Sequence, residues 1–392
     1  MVALVGRWWR CMIMADDTDY PDGVEPEETG IIEPFDPAAI RIQVQQMSLD
    51  TLVKRIREEE IDLSPDFQRN EVWKPGSKSR LIESLLIRIP LPAFYVDATN
   101  EDRWVVIDGL HRLSTLRDFI ISPKKGSNGF FKLADLEFLT EMNGKTFSEL
   151  PRNFQRRIEE TQVTVYKLES GTPTEVKFNI FKRINTGGLP LSSQEIRHAL
   201  NQGSVTGLLK DMAESEEFRK AVNNRVKKMD RMVDRELVLR FFAFIQGGPE
   251  KYGENTVNFD TFLSNAINDL NQLTSHKKLE ESFLRAMKIA AELFGTQAFR
   301  KQARDKKNRF PINKSLFEAW SVNLDALSDN DFKILMRKKK LLQERFIDIV
   351  GEREFNDSIT LGTGSKVNVH RRFGKIKEII QEVLNAQPTE VA

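Results

Sequence analysis

The chain has 392 residues, of which 40% are hydrophobic and 30% are charged, and its formal net charge is +1. This is the composition of a globular protein with room for two domains or more, and it excludes a chain that is disordered or fibrous throughout. One cysteine excludes an internal disulfide and a cysteine zinc site, and four histidines are too few for an extensive histidine metal cage. No apolar run reaches the length of a membrane span, so we expect a cytoplasmic protein with no membrane partner.

The first 40 residues are expected to form an arm outside the folded domains. Residues 1–14 are too short an apolar run, interrupted by two arginines, for a secretory signal, and we interpret Met14 as the start of translation. Residues 1–36 hold two arginines and nine acidic residues, a formal charge of −7, so the rest of the chain carries +8. An acidic segment poor in apolar residues predicts a disordered tail that aids solubility, or an arm that mimics DNA and covers a basic groove.

Residues 41–200 are predicted to form an α/β domain, and residues 201–392 a mostly helical one. Apolar residues at spacings of three and four predict helices, whereas alternating or continuous apolar runs predict strands. Ser48 is the expected cap of the first helix, and Ser192 or Ser193 that of the last. In chain order the predicted elements are a helix after Ser48, a helix at 78–88, strands at 93–97 and 104–109, a helix at 110–120, a strand at 161–169, and helices at 177–185 and 191–200.

The most informative segment is residues 108–112, Asp-Gly-Leu-His-Arg, where a buried strand turns directly into a helix. The glycine allows the tight turn, and the first turn of the helix directs unpaired N–H groups beyond the strand end, which favours an anion. Arg112 adds a planar guanidinium suited to phosphate. His111 can donate a further hydrogen bond or move a proton.

Asp108 needs its own explanation, because a bare carboxylate repels phosphate. Its side chain caps the helix, or it holds Mg²⁺ against the phosphates, or it takes a proton from an attacking water. The first role is structural, and the other two remove the repulsion.

Two other segments carry arginine together with an amide side chain, namely the loop after Pro65 and the residues that precede a Gly-Gly turn. Separate surface or interdomain ion pairs would explain each arginine alone, but three arginines beside flexible turns favour one shared phosphate pocket. The candidate catalytic residues are Asp108, His111 and Arg112, with Asp108 as the metal ligand. The candidate nucleotide-binding residues are Gln68, Arg69, Gly109, Arg112, Arg183, Asn185, Gly187 and Gly188.

Four phrases in this half of the chain resemble a known family. It is the family typified by the S half of GmrSD-type modification-dependent restriction systems, within the ParB/sulfiredoxin-like superfamily. The resemblance covers about residues 45–200, with a weaker echo at 358–373. The phrases are FQRNEVW (67–73), LIESLLIRIPLP (81–92), VVIDGLHRLSTL (105–116) and FKRINTGGLPLSSQEIR (181–197).

The resemblance implies a ParB-like α/β domain that binds a nucleoside triphosphate of unassigned base with Mg²⁺, and hydrolyses it in studied relatives. It also implies a role in restriction or defence against phage. The family's D-G-Q-Q-R box maps onto residues 108–112, where Leu110-His111 stands in place of Gln-Gln. Leucine removes a polar group from the box, so phosphate binding is a firmer expectation than hydrolysis.

The second half is predicted to be mostly helical and to contact DNA. Its helices are predicted at 204–222, 232–246, 258–273, 278–294, 314–327, 331–350 and 366–386, and glycines separate several of them. Basic clusters on helices are often solvated faces, but converging clusters would grip a DNA backbone. The candidate DNA-binding residues are Lys227, Lys228, Lys306, Lys307, Lys338, Lys339, Arg371 and Arg372.

No His-Asn-His cluster occurs in the second half, whose two histidines are His276 and His370. We therefore expect DNA cleavage to come from a separately encoded nuclease or from the α/β domain itself. Three hypotheses remain open: an NTPase whose turnover licenses action on DNA, a nucleotide-gated DNA-binding switch, and an adaptor whose pocket is vestigial. A homo-oligomer is compatible with each of them.

Overall fold

The computed structural model separates the chain into two compact units, one of residues 32–202 and one of residues 203–392 together with residues 1–31. The first holds a mixed sheet with helices and the second is mostly helical, which confirms the α+β fold class. The residues that the structure describes are 24–25, 40–63, 73–121, 131–184, 192–201, 203–223, 232–254, 258–304 and 310–387.

A five-stranded sheet in the order β1-β5-β3-β4-β2 lies at the centre of the first unit. The pairs β1–β5 and β3–β4 are antiparallel, and β3–β5 and β2–β4 are parallel. This register sets Tyr95 opposite Asp108 on one side and Tyr166 on the other, so one row of the sheet carries all three. The strands are β1 (Ile42–Ser48), β2 (Ile61–Asp62), β3 (Phe94–Asp97), β4 (Trp104–Asp108) and β5 (Gln162–Leu168).

Six α-helices of the described residues belong to this unit, and the first four share a core with the sheet residues Phe94, Val96 and Val106. Each fully buried apolar side chain in this core contributes roughly 1.5–3 kcal/mol. The helices are α1 (Leu49–Arg57), α2 (Pro75–Leu86), α3 (Leu110–Ile120), α4 (Arg152–Glu160), α5 (Thr174–Ile184) and α6 (Ser193–Leu200).

Both predicted helix caps are confirmed. The Ser48 hydroxyl accepts a hydrogen bond from the Thr51 N–H at 3.2 Å, which satisfies a donor of the first turn of α1. At α6 the cap is Ser192, which exchanges hydrogen bonds with Glu195 in a capping box.

Two strands and one α-helix of the first unit were not predicted: β1, β2 and α4. Five consecutive residues of β1 are exposed, and β2 has two residues, so neither carries a clear apolar repeat. The single buried residue of α4 is Ile158, which likewise leaves little periodicity. Helix α2 begins at Pro75 rather than residue 78, because proline is well suited to the first helical position.

The second unit is built from helices that enclose a single large apolar core. The segment predicted as one helix at 204–222 is two helices because Ser215 caps a new one, and the segment at 331–350 breaks at Lys338. The helices are α7 (Ser204–Glu214), α8 (Glu216–Ala221), α9 (Val233–Gly247), α10 (Phe259–Gln272), α11 (Lys277–Phe294), α12 (Lys314–Asp325), α13 (Asp329–Arg337), α14 (Lys339–Gly351), α15 (Arg353–Thr360) and α16 (Lys366–Asn385).

Two residues of the acidic arm are ordered against the second unit, which differs from the expected disorder. Val24 forms a parallel bridge with Ile312, and the Glu25 N–H donates to the Ile312 carbonyl at 2.7 Å. The Glu25 carboxylate pairs with Lys301 at 2.6 Å and accepts from Asn313 at 2.8 Å. Residues 1–23 and 26–39, including the interpreted start at Met14, lie outside the described residues. Within the described part of the chain, a helix of the length and hydropathy needed to cross a bilayer is absent.

Candidate functional site

The junction between β4 and α3 has the geometry that its sequence predicts. Gly109 has a φ of 98°, in the left-handed region, and α3 begins at the next residue without a side-chain cap. A Cβ at Gly109 would lie 2.4 Å from Cδ1 of Phe94, so no residue larger than glycine fits without a shift of that ring. The first-turn N–H groups of α3 therefore provide donors for a ligand at this end of the sheet.

Arg112 is held in place by four neighbours. Its Nη2 lies 2.8 Å from Asp108 Oδ2 and donates to the Ala93 carbonyl at 3.2 Å, while Nη1 donates to the Pro92 carbonyl. The guanidinium carbon lies 4.7 Å from the ring centroid of Phe94. Burial lowers the pKa of Arg112, while the charge and hydrogen bond of Asp108 oppose this shift. In this arrangement Arg112 orients a carboxylate, and a contact with phosphate would require an exchange of these partners.

Asp108 does not cap α3, so the predicted role as a helix cap is wrong. The N-cap is Gly109, and among the described residues the Asp108 carboxylate is hydrogen-bonded by Arg112. The Asp108 side chain is 33% exposed, compared with 11% for Arg112, so solvent reaches it. The roles in metal binding and proton transfer stay predictions.

A metal at this junction would depend on ligands from a bound molecule. No group of three or more His, Cys, Asp or Glu side chains suited to a metal occurs within the described ranges. Mg²⁺ is commonly held by one or two carboxylates together with phosphate oxygens and waters. Asp108 therefore fits Mg²⁺ only if a phosphate chain supplies further oxygens.

Aromatic side chains surround the junction, and the sequence reasoning did not place them there. The rings of Trp73 and His111 are stacked with centroids 5.7 Å apart, and those of Tyr95 and Tyr166 with centroids 4.7 Å apart. Burial raises the pKa of Tyr95, and Tyr166 and the Asp108 carboxylate raise it further. The only available signal was strand alternation, which places the two tyrosines on one face but does not pair them.

A buried ion pair fastens α5 to the end of β3. The Lys177 ammonium lies 2.9 and 3.2 Å from the two Asp97 oxygens, and both also contact Thr99. Both charged side chains are about 10% exposed. Arg183 lies in the last turn of the same helix with an exposed side chain, so this pair fixes the helix that presents it.

Five of the predicted nucleotide-binding residues cannot be placed. The structure does bring Asp108, Gly109, His111 and Arg112 together at one junction. The convergence of three arginines stays a prediction, because Gln68, Arg69, Asn185, Gly187 and Gly188 lie outside the described residues.

The predicted DNA-binding lysines and arginines that can be described are already engaged. Lys338 Nζ donates to the carbonyls of Val383, Leu384 and Ala386 at 3.1, 3.2 and 2.6 Å, at the end of α16. Lys339 donates to the Glu292 carbonyl at 2.7 Å, and Arg371 pairs with Glu354 at 3.2 Å. Lys227, Lys228, Lys306 and Lys307 lie outside the described residues.

Arg372 lies in the core of the second unit, where it cannot meet DNA. Its side chain and that of Glu318, with which it pairs, are both 0% exposed. Its Nη1 also donates to the carbonyls of Ser358 and Thr363, at 3.2 and 2.6 Å. A DNA phosphate would have to enter the core to reach this guanidinium. Arg372 therefore has a structural role in the core rather than the predicted role in DNA binding.

With the junction described, comparison with known families identifies the segment that contains it. Residues 49–201 match the family model described as the GmrSD restriction endonuclease, N-terminal domain. Over these residues the chain is similar to the GmrSD N-terminal domain family. The match runs from the first residue of α1 to the residue after α6, so the GmrSD N-terminal segment includes the whole junction. The suspected resemblance is thereby confirmed for this segment, which is of the kind found in GmrSD restriction systems. No curated protein matches the chain.

Proposed function

We propose that the GmrSD N-terminal segment binds a nucleoside triphosphate at the start of α3 and hydrolyses it, and that this step licenses a restriction system to act on DNA. The observation that carries the proposal is the N-terminus of α3, which follows the left-handed Gly109 and has no side-chain cap. Beside it lies the Asp108 carboxylate, which Arg112 orients and which is partly exposed to solvent. Such a helix end offers N–H donors and a positive partial charge to phosphate.

Each residue of the junction has its own role in binding the nucleotide. The N–H groups of the first turn bind phosphate oxygens, and the His111 ring, backed by Trp73, adds a donor at the same helix end. Arg112 holds the Asp108 carboxylate in one orientation rather than gripping the phosphate itself. Gly109 lets the backbone approach the ligand closely.

Asp108 would hold Mg²⁺ when the nucleotide is bound, or accept a proton from the attacking water. Mg²⁺ supplies charge neutralisation of the phosphate oxygens. The carboxylate has one oxygen engaged by Arg112, which leaves the other for a metal or a water. A general base in this position contributes about 10²- to 10⁴-fold to a rate.

The test is a thermal-shift and phosphate-release panel with ATP, GTP, CTP and UTP, each with and without Mg²⁺ and DNA. A triphosphate present at about 100 times its Kd should stabilise the protein by about 2.7 kcal/mol. Asp108→Asn should lower Mg²⁺-dependent phosphate release by at least about 100-fold, since the substitution removes the charge that serves as metal ligand or base.

Asp118→Asn is the matched control, because Asp118 lies on α3, the helix that begins two residues after Asp108. Its carboxylate is 29% exposed and pairs with Lys78 at 2.8 Å, much as Asp108 pairs with Arg112. The control should keep full phosphate release. Equal losses in both variants would contradict the role assigned to Asp108.

Two other results would redirect the proposal. Tight triphosphate binding with negligible phosphate release would identify a nucleotide-gated switch rather than an NTPase. Absence of a thermal shift with all four triphosphates would show that the proposed function is wrong. In both the NTPase and the switch form of the proposal, DNA cleavage would come from a separately encoded nuclease or from the α/β domain itself.

A further inference from the structure

Helix α6 carries a set of buried polar side chains that the proposed site does not use. Gln194 is 0% exposed and Arg197 is 1% exposed, although both belong to residue types that normally face water. Buried polar groups are costly unless they are hydrogen-bonded. Their partners therefore indicate what this part of the helix is for.

The Glu195 side chain has a structural task, since it closes the capping box with Ser192. The guanidinium of Arg197 lies 5.7 Å from the ring centroid of Phe178 on α5, and its Nε donates to Gln194 Oε1 at 3.0 Å. This hydrogen bond determines how the Gln194 amide is oriented. A guanidinium only donates, so the amide oxygen must face Arg197 and the amide nitrogen must point away from it.

Among the described residues, the amide nitrogen of Gln194 has no acceptor. Nε2 is buried and finds no hydrogen-bond partner in the part of the chain that the structure describes. Such a donor loses its hydration and receives nothing in exchange, which native proteins seldom tolerate. An amide held in one orientation by an arginine, with both N–H groups unused, is arranged to meet an acceptor from outside the chain.

The neighbouring guanidinium indicates which acceptor it is. A water or a neutral carbonyl would satisfy an amide N–H. Because the Glu195 carboxylate is used in the capping box, the charged group bonded to the Gln194 amide is the Arg197 guanidinium, which favours an anionic oxygen. Gln194 also lies on the helix that follows Arg183 along the chain, in the same segment as the predicted phosphate ligands. We propose that Gln194 is a binding residue for a phosphate oxygen of the nucleotide, an inference that rests on the proposed function.

The test compares Gln194→Glu with the wild-type protein in two measurements. Glutamate keeps an oxygen for Arg197 and replaces the unused N–H groups with negative charge. The melting temperature of the nucleotide-free variant should therefore equal or exceed that of the wild type, while triphosphate affinity should fall about 10- to 100-fold or more. A purely structural Gln194 predicts the same melting temperature and an unchanged Kd.

Gln194→Met provides a second variant, because it removes the donor without adding charge. It should also weaken triphosphate binding by about tenfold or more, although loss of the Arg197 partner should lower its melting temperature. The matched control is Gln155→Met on α4, since the Gln155 amide donates to the Leu150 carbonyl at 2.7 Å and has a structural role. This control should lower the melting temperature and leave triphosphate affinity unchanged.

The outcomes separate this inference from the proposed function. If the wild-type protein binds none of the four triphosphates, the proposed function and this inference both fall. If the wild type binds and both Gln194 variants bind with the same Kd, this inference alone is overturned. Weakened binding by both variants, with unaltered binding by Gln155→Met, supports it.

Discussion

Each unit of the molecule contains an arginine that follows a histidine closely in sequence and pairs with a carboxylate, yet the two pairs differ in their access to water. In the GmrSD N-terminal segment, Arg112 pairs with Asp108, whose side chain is 33% exposed beside an open helix N-terminus. In the helical unit, Arg372 pairs with Glu318, and both side chains are 0% exposed. The first pair presents a carboxylate to a ligand, whereas the second has no surface on which to receive one.

This difference shows why a cluster of basic residues is weak evidence for binding. A charge that is enclosed by fixed partners contributes to folding, because breaking the pair leaves the other charge buried without compensation. A charge at an element boundary keeps part of its surface and can bind a molecule from solution. Three substitutions test how far the comparison between the two units holds, and they follow from the largest expected effect to the smallest.

Arg372→Met should destabilise the helical unit by about 3–5 kcal/mol, because the buried Glu318 would lose one of its two arginine partners and keep only Arg240. The carbonyls of Ser358 and Thr363 would also lose their buried donor. Urea unfolding followed by circular dichroism measures the change. The matched control is Arg371→Met, whose pair with Glu354 is exposed at 32% and 78% and should contribute about 0–1 kcal/mol. Similar losses in the two variants would remove the distinction between the buried pair and the exposed one.

Gly109→Ala should destabilise the GmrSD N-terminal segment by about 2–4 kcal/mol, from left-handed backbone strain together with the contact with Phe94. Gly144→Ala is the control, since Gly144 has a φ of +81° but no atom within 4 Å of its ideal Cβ, and it should cost about 1–2 kcal/mol. Urea unfolding of both variants separates the steric part from the backbone part. If the two variants were equally stable, the junction would not be tightly packed.

Glu83→Gln should destabilise the protein by about 1–3 kcal/mol at pH 7, because the buried Glu83 carboxylate accepts the N–H groups of Glu137, Phe138 and Leu139 at 3.0, 2.7 and 2.8 Å. Burial raises the pKa of Glu83, and the three hydrogen bonds lower it. Their combined effect is larger than that of burial, so the pKa of Glu83 in the folded protein lies below the ordinary value of 4.5. The group therefore adds stability above that value and loses it as the pH falls through the lowered pKa.

The pH dependence distinguishes this carboxylate, which accepts hydrogen bonds from backbone N–H groups, from that of Glu318, which pairs with two arginines. The difference in unfolding free energy between wild type and Glu83→Gln should shrink as the pH is lowered below the ordinary pKa of 4.5. Glu141→Gln, at an exposed residue two positions after Leu139, should show little difference at any pH. A gap for Glu83→Gln that stays constant with pH would contradict the lowered pKa.

Local patterns predicted the elements that depend on residues close together in the chain. Helix α3 was predicted at 110–120 and spans Leu110–Ile120, because a buried strand, a glycine and an amphipathic run follow one another directly. By contrast, β1 lies at the sheet edge with five exposed residues in a row, so its pairing with β5 depends on a strand more than a hundred residues away. The hydrophobic periodicity of a short segment cannot predict which distant strand it pairs with.

The sequence by itself determined the α+β class, the strand-to-helix junction at residues 108–112, both serine caps and the likeness to GmrSD restriction domains. Each of these follows from neighbouring residues or from a linear motif. Tertiary structure alone decided that Arg112 holds Asp108, that Lys177 meets Asp97, and that Arg372 is buried. The reason is physical: burial and ion pairing depend on which distant side chains the fold brings together, and a charge in the sequence looks the same whether its partner is water or a carboxylate.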